Sequence, residues 1–177
     1  MDRPKSPEVA AFWRAFREAR GVPEQEYDVC RMGDSAAFAD ELLQLILTGP
    51  KRATACLLRD VEVGGEMMAR VGGHVVVLDG AGLPRAIWRT KTVEVKPLDR
   101  IDDAFAWDEG EGERTRGDWL AMHIRYFTRQ GRGFRLRPLD AGGVRALHAG
   151  LAARIRRHGK RMISRPRALW RKAAGSR

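Results

Sequence analysis

The chain has 177 residues, with 33 Lys and Arg against 23 Asp and Glu and a net charge of +10. That length is enough for one domain with a hydrophobic core, and no apolar run approaches the ~20 residues of a membrane span. The N-terminus lacks an apolar signal core, and the two cysteines and four histidines are scattered. We therefore expect a cytoplasmic protein with no metal site, no cofactor and no membrane contact.

The positive charge is confined to the C-terminal part of the chain. Residues 131–177 contain fourteen Lys or Arg and one acid, Asp140, which leaves −3 of the total charge for residues 1–130. A mildly acidic main part gives no support, from charge alone, for a nucleic-acid-binding core.

The first 50 residues carry the signals of two helices. Ser6 predicts the start of the first helix and Gly21 its end. Asp34 or Ser35 can cap a second helix, which ends at Gly49. Apolar residues at helical spacing give each helix a buried face. They are Val9, Phe12, Trp13 and Phe16 in the first helix, and Phe38, Leu42, Leu45 and Ile46 in the second.

Strand signals follow the second helix. Residues 53–58 form a short apolar run, and residues 74–78 are β-branched, so both are predicted as buried strands. Residues 79–82 are a hairpin turn signal, and residues 85–95 are predicted to return as a strand.

The remaining signals are helical. A single helical turn is predicted at residues 102–106, and a third helix at residues 115–127. Antiparallel strands closed by hairpins and flanked by helices predict an α+β domain with a small, curved sheet or barrel.

Three polar residues are crowded where the second helix ends. Lys51, Arg52 and Thr54 lie at a helix-to-strand junction, a position typical of binding and catalytic groups. Basic residues after a helix C-terminus also commonly only complement the helix dipole. Spacing alone favours this second interpretation.

Two further segments can carry chemistry. Residues 108–113 contain four acids separated by glycines, which is typical of a solvated loop but also suits a carboxylate aimed at a pocket. Near a lysine, that carboxylate could orient a nucleophile or pass a proton. Trp119 and His123 share one face of the third helix, where a histidine is more often a satisfied buried group than a catalyst.

Together these segments resemble the ASCH domain family of the PUA-like superfamily, over residues 10–130. The motifs that carry the resemblance are Gly33-Asp34, Ala39-Asp40-Glu41-Leu42, Gly49-x-Lys51-Arg52-Ala53-Thr54, Gly73-x-x-Val76-Val77-Leu78-Asp79, Gly82-x-Pro84, Phe105-Ala106-x-x-Glu109-Gly110-Glu111-Gly112 and Trp119-x-x-x-His123. The resemblance implies a small PUA-like β-barrel with mostly antiparallel strands, flanked by helices, and a cleft for RNA or a modified nucleoside.

The resemblance also implies a hydrolase. Related proteins include single-strand ribonucleases and amidohydrolases that act on N4-acetylcytidine. In the latter, a lysine, a threonine three residues later and a downstream glutamate are catalytic. These positions fall on Lys51, Thr54 and Glu109, with Glu111 as the competing acid. The residues expected to bind substrate are Arg52, Glu111, Trp119 and His123. The alternatives are a noncatalytic RNA-binding module that uses the same cleft, or an inactive product of a frameshifted gene.

The chemistry sets conditions on the lysine. Threonine is a weak nucleophile unless a base lies within hydrogen-bond reach. We expect Lys51 to be that base, with a pKa lowered by burial or by the neighbouring Arg52, while the glutamate passes the proton to the leaving amine. Positions 51 and 54 face opposite sides of a regular strand. Lys51 must therefore lie in the turn formed by Gly49 and Pro50.

The family pattern stops after residue 130. We predict an ASCH-like domain over residues 1–130 and a basic, Arg/Ala-rich tail over residues 131–177, helical or disordered, in place of a closing strand with a Glu-Arg-Phe signature. Residues 140–149 can be encoded by GAT GCC GGT GGT GTG CGA GCG CTT CAC GCT, which read one base later gives MPVVCERFT. One hypothesis is a shift of reading frame near residues 131–137, which would leave a sheet edge unpaired. The other is a native extension that binds RNA through charge. The sequence does not predict the oligomeric state.

Overall fold

A computed structural model describes residues 5–62, 68–130 and 145–147. The helices in these residues are α1 (Pro7–Arg20), α2 (Ala36–Thr48), α3 (Leu58–Glu62), α4 (Asp103–Glu109) and α5 (Arg116–Gln130), with a 3-10 turn at Leu98–Arg100. The strands are β1 (Tyr27–Cys30), β2 (His74–Leu78), β3 (Pro84–Arg89), β4 (Val95–Pro97) and β5 (Arg145–Leu147).

Local signals define the ends of the first two helices. The Ser6 hydroxyl accepts a hydrogen bond from a backbone N–H of the first turn of α1, and the Ser35 hydroxyl does the same for α2. Gly21 and Gly49 end these helices with φ of 63° and 108°, a left-handed conformation that favours glycine. Both predicted helices are confirmed with these boundaries.

The central sheet has the order β1-β2-β3. Strand β1 runs parallel to β2, and β2 pairs antiparallel with β3 through the predicted hairpin turn. In that turn the Asp79 carboxylate accepts hydrogen bonds from the backbone N–H groups of Ala81 and Leu83. The returning strand is shorter than predicted, since β3 ends at Arg89. Strand β1 was not predicted, because four residues are too few to show a clear alternation.

The predicted strand over residues 53–58 is wrong. Residues 51–56 are irregular, Leu57 forms a single bridge, and α3 begins at the next residue. The backbone N–H groups of Arg52 and Ala53 both donate to the Asp108 carbonyl oxygen, at 2.6 and 2.9 Å. This segment therefore binds to the end of α4 and not to the sheet. Its apolar residues are buried against α4 and α5, so the run reflects burial without strand pairing.

The sheet is covered on both faces. On one face Val76 and Ile87 pack with the aromatic residues of α1. On the other, Val75, Val77 and Trp88 pack with the leucines of α2. A separate apolar cluster joins α4 and α5 to the segment that follows α2. The α+β class is confirmed, with two antiparallel pairings and one parallel pairing. The described strands form a three-stranded sheet and a two-stranded sheet, so the small β-barrel implied by the resemblance is not closed among the described residues.

The tail contributes one strand. Strand β5 pairs antiparallel with β4, with Leu147 opposite Val95. The prediction of a helical or disordered tail is thus wrong for residues 145–147, and its remainder lies outside the described residues. In the described ranges, no helix combines the length and apolar character needed to cross a membrane.

Candidate functional site

A cleft of ≈ 1760 Å³ lies beside the junction that follows α2. It is lined by β1, by α2, by the irregular residues 51–56, by the loop after α4 and by one face of α5. The three segments with predicted chemistry therefore meet at one place, although Lys51 and His123 are 72 residues apart in the sequence.

Backbone contacts hold Lys51 at the base of this cleft. Its N–H donates to the Leu45 carbonyl at the end of α2, at 3.2 Å, so Lys51 lies in the turn and not in a strand. The sequence analysis requires Lys51 to lie in this turn if it is to converge with Thr54, and the position of Lys51 agrees with that requirement. Thr54 is half-buried and lines the same cleft.

Lys51 is buried between two carboxylates. Its Nζ donates to Glu109 Oε2, to Glu111 Oε1 at 2.5 Å and to the Glu109 carbonyl oxygen at 3.4 Å. The side chains of Lys51 and Glu109 are each only 1% exposed, and that of Glu111 is 15% exposed. Lys51, Glu109 and Glu111 thus form a buried charged cluster, which we call the Lys51 cluster.

Gly110 makes the Lys51 cluster possible. It ends α4 with φ of 70°, and a Cβ added there would lie 2.6 Å from the backbone nitrogen of Lys51. Only glycine allows the two backbones to approach this closely. As a result, Glu109 at the end of α4 and Glu111 just beyond it both reach the same ammonium group.

The protonation of Lys51 differs from the expectation. Burial favours the neutral amine, but the charges of Glu109 and Glu111 outweigh this effect and raise the pKa of Lys51 above its ordinary value. The expectation of a lowered pKa is therefore corrected. Lys51 is therefore held as a cation between the two glutamates.

The two carboxyl groups differ in protonation. Burial raises the pKa of Glu109 to about 7, although the charge of Lys51 opposes this shift. Burial acts in the same direction on Glu111, but there the charge of Lys51 and its hydrogen bond prevail and the pKa of Glu111 is lowered. Near neutral pH, Glu111 is therefore ionised, whereas Glu109 is present in both its protonated and its ionised form.

His123 lies against this cluster as a neutral ring. Burial lowers the pKa of His123 to about 4. Its Nδ1 lies 3.0 Å from the Trp119 carbonyl oxygen, and its ring stacks on Trp119 with centroids 3.9 Å apart. Its Nε2 lies 3.8 Å from Glu109 Oε1.

Five of the seven residues predicted for the site line the cleft: Lys51, Thr54, Glu109, Glu111 and His123. The structure does not bring Arg52 into this group, because its side chain is exposed and its Nε donates back to the Gly49 carbonyl at 3.1 Å. Trp119 is buried behind His123 and supports its ring. No three His, Cys, Asp or Glu side chains in the described ranges are arranged to hold a metal ion.

Sequence reasoning missed the acidic character of the cleft. Counted over the described residues, its lining contains eight acids against five Lys or Arg. The acids are Asp28, Asp34, Glu41, Asp60, Glu109, Glu111, Glu113 and Asp118. They come from several separate segments, so no local pattern could reveal them.

Comparisons with known proteins agree on the fold. Residues 28–138 match the family described as ASCH domain. One similar protein of known crystal structure comes from Enterococcus faecalis V583 and is assigned to the family DUF984. Its sequence is 26% identical to this chain and its structure gives a TM-score of 0.71, and the match covers 81% of this chain and 86% of that chain. The ASCH domain from Lactobacillus crispatus JV V101 is 22% identical with a TM-score of 0.73 and covers 84% of this chain and 95% of that chain. No curated protein matches the chain.

Proposed function

The chain belongs to the ASCH domain family, and from this premise we propose that it hydrolyses the amide bond of an acylated nucleoside, with N4-acylated cytidine as the substrate class. The observation that carries the proposal is the Lys51 cluster at the base of the cleft. A buried lysine held by two carboxylates contributes little net stability, because desolvation offsets the attraction between the charges. Buried titratable groups with shifted pKa values in a cleft are candidates for catalysis.

The charge of the cleft favours a nucleoside over an RNA strand. Among the described residues, eight acids against five basic residues line it, and a phosphodiester backbone is attracted by the opposite balance. A neutral nucleoside has no such penalty. This argument ranks the amidohydrolase above the single-strand ribonuclease.

The chemistry assigns a role to each group of the cluster. The Thr54 hydroxyl attacks the acyl carbon while the ionised Glu111 accepts its proton. The ammonium of Lys51 stabilises the negative charge that develops on the acyl oxygen. Glu109, which is protonated in part at neutral pH, gives its proton to the N4 nitrogen as the carbon–nitrogen bond breaks. Water then hydrolyses the acyl-threonine, which releases the carboxylic acid.

The test replaces Lys51 by alanine. We expect Lys51→Ala to lower kcat/KM for N4-acetylcytidine by roughly 10²- to 10⁴-fold, measured as cytidine release by chromatography. Lys91→Ala is the matched control, because Lys91 is exposed and lies outside the cleft lining. Circular dichroism of both variants checks that the fold is kept. Hydrolysis by folded Lys51→Ala at the wild-type rate would exclude this assignment.

A noncatalytic RNA-binding module is the second candidate. The observation that favours it is the charge of +13 in residues 131–177. It predicts saturable binding of single-stranded RNA with neither cytidine release nor RNA cleavage, which a binding assay and a product assay on the same sample distinguish.

A further inference from the structure

One oxygen of the Lys51 cluster has no partner in the described part of the chain. Glu109 Oε1 is fully buried and makes no hydrogen bond there, while Oε2 accepts from Lys51. A buried carboxylate oxygen without a donor is costly. Protonation converts this atom into a donor, which then requires an acceptor.

The neighbouring ring offers that acceptor. His123 Nδ1 faces the Trp119 carbonyl oxygen at 3.0 Å. A carbonyl oxygen only accepts hydrogen bonds, so Nδ1 carries the ring hydrogen. In the neutral ring the lone pair is then on Nε2, which is the atom that faces Glu109 Oε1 at 3.8 Å. Stacking on Trp119, with 19° between the ring planes, holds this orientation.

We propose that His123 is a positioning residue that holds the proton of Glu109 on Oε1 and so keeps this carboxyl group ready to act as the general acid. A small rotation of the Glu109 side chain, which brings Oε1 within about 3 Å of His123 Nε2, completes the hydrogen bond. The catalytic use of this proton rests on the proposed function, whereas its position does not.

The other groups that face Glu109 support the same oxygen. Lys51 donates to Oε2, so a proton on Oε2 would compete with the ammonium for that atom. Glu111 is the remaining neighbour, and its carboxylate also contacts Glu109. Glu111 is already bound to Lys51 at 2.5 Å. Glu111 keeps further lone pairs and its charge also acts on His123, but Glu109 Oε1 has no hydrogen-bond partner among the described residues. His123 Nε2, at 3.8 Å, is the acceptor that a rotation of the Glu109 side chain would bring within reach of Oε1.

The tautomer of His123 tests the proposal without any substrate. In protein labelled with ¹⁵N at histidine, long-range ¹⁵N–¹H spectra distinguish the Nδ1–H form, the Nε2–H form and the imidazolium. We expect the Nδ1–H form at neutral pH, with an Nε2 signal that moves towards the hydrogen-bonded position as the pH falls through about 7. His123→Gln identifies the signal by its loss. An Nε2–H ring or an imidazolium at pH 7 overturns the proposal, and the wild-type spectrum alone decides this.

Two variants test which carboxyl group holds the proton. In Glu109→Gln we expect the pH-dependent movement of the Nε2 signal to vanish, while in Glu111→Gln it should persist with a displaced midpoint. Persistence of the movement in Glu109→Gln overturns the proposal. Loss of the movement in Glu111→Gln alone places the proton between the two glutamates and also overturns it.

Kinetics separate this inference from the proposed function. We expect His123→Leu to lower kcat for N4-acetylcytidine by about tenfold with KM unchanged, the effect of one lost hydrogen bond. His123→Gln, which retains an acceptor oxygen, should recover most of this loss. Equal kcat values for the wild type and His123→Leu overturn the catalytic use of the proton. If the wild type hydrolyses no acylated cytidine, the proposed function fails while the tautomer result still stands.

Discussion

Lys51 remains a cation inside the protein because two carboxylates surround it. Its expected role as a base followed from burial or from the neighbouring cation Arg52, either of which lowers the pKa of a lysine. The structure adds the charges of Glu109 and Glu111, and these reverse the sign. The sequence places three acids within five residues of Glu109. It does not show which of them reach the ammonium, because this depends on the left-handed backbone at Gly110.

His123 gives the fold a stability that depends on pH. The pKa of His123 is about 4 in the folded chain and 6.5 in the reference state that represents the unfolded chain. Between these values the unfolded chain binds more protons, so stability falls as the pH drops from 6.5 to 4. The full effect of this shift is on the order of 3 kcal/mol.

Glu109 acts in the opposite direction. Its pKa is about 7 in the folded chain, above the reference value of 4.5. The folded chain therefore binds more protons between these values, and this contribution is lost as the pH rises through 7. The wild type and a variant changed only at His123 both contain Glu109. The difference between their free energies of unfolding therefore contains little of this contribution.

His123→Phe should reduce the loss of stability in acid. Phenylalanine keeps an aromatic ring against Trp119 and Phe127 but cannot titrate. We expect the free energy of unfolding of the wild type to fall relative to the variant, by about 2 kcal/mol, between pH 7 and pH 4.5. Urea unfolding at both pH values measures this. A difference that does not change with pH contradicts the assignment of a neutral, buried His123.

At the level of elements, the junction of α4 with residues 50–53 positions the site. Gly110 has φ of 70°, and an added Cβ would clash with the backbone of Pro50 and Lys51. We expect Gly110→Ala to lower the free energy of unfolding by about 2 to 5 kcal/mol, the sum of left-handed strain and overpacking. Because the clash displaces Lys51 from Glu109, hydrolysis should fall with it.

Gly21→Ala is the matched control for this junction. Gly21 ends α1 with φ of 63°, and an added Cβ there meets nothing within 4 Å. Only the strain of about 1 to 2 kcal/mol should remain, with unchanged hydrolysis. Thermal and urea unfolding of both variants measure the difference. An equal loss in the free energy of unfolding for Gly110→Ala and Gly21→Ala would show that the close contact of Gly110 with the backbone of Pro50 and Lys51 does not stabilise the junction.

The elements differ in how far the sequence predicts them. Helices α1 and α2 are defined by their own caps at Ser6, Gly21, Ser35 and Gly49, so local reasoning is sufficient. Residues 53–58 carry an equally clear apolar run, but their partners are α4 and α5, some 50 residues later. Local periodicity contains no information on such partners, and for this reason the strand prediction is wrong.

The residues of the candidate site also differ in how far the sequence predicts their positions. Lys51, Thr54 and Glu109 were found through the resemblance to a family, and the cleft contains all three. Arg52 follows Lys51 directly but points out of the cleft, because the backbone of Arg52 and Ala53 is bound to Asp108. Which side of an irregular segment a residue faces depends on such tertiary hydrogen bonds, and no spacing rule supplies them.

At the level of the whole molecule, β5 lies where a closing strand was expected. The alternative frame, which reads Glu-Arg-Phe, overlaps the codons of residues 145–148, and β5 spans residues 145–147. Strand pairing uses backbone groups, which every reading frame supplies. Pairing with β4 is therefore compatible with both hypotheses for the tail. The coding DNA distinguishes them, since a codon set without the shifted signature excludes the frame hypothesis.

The positive charge and the cleft belong to different parts of the chain. Residues 151–177 contain ten Lys or Arg and no acid, so residues 1–150 have a net charge of zero. The described residues that line the cleft all precede residue 130, and β5 ends at Leu147. Removal of residues 151–177 thus takes away the basic charge without removing a described element.

This truncation separates RNA binding by charge from recognition in the cleft. We expect the full chain to bind single-stranded RNA with an affinity that falls steeply between 50 and 200 mM salt, in the manner of counterion release. The chain of residues 1–150 should lose this binding and hydrolyse N4-acetylcytidine within about twofold of the full chain, since the Lys51 cluster is intact. A full-length variant with the ten basic residues replaced by glutamine controls for chain length. If residues 1–150 still bind RNA with the same salt dependence, residues 151–177 are not the source of the binding, and RNA recognition belongs to the part of the chain that contains the cleft and the four arginines of residues 131–150.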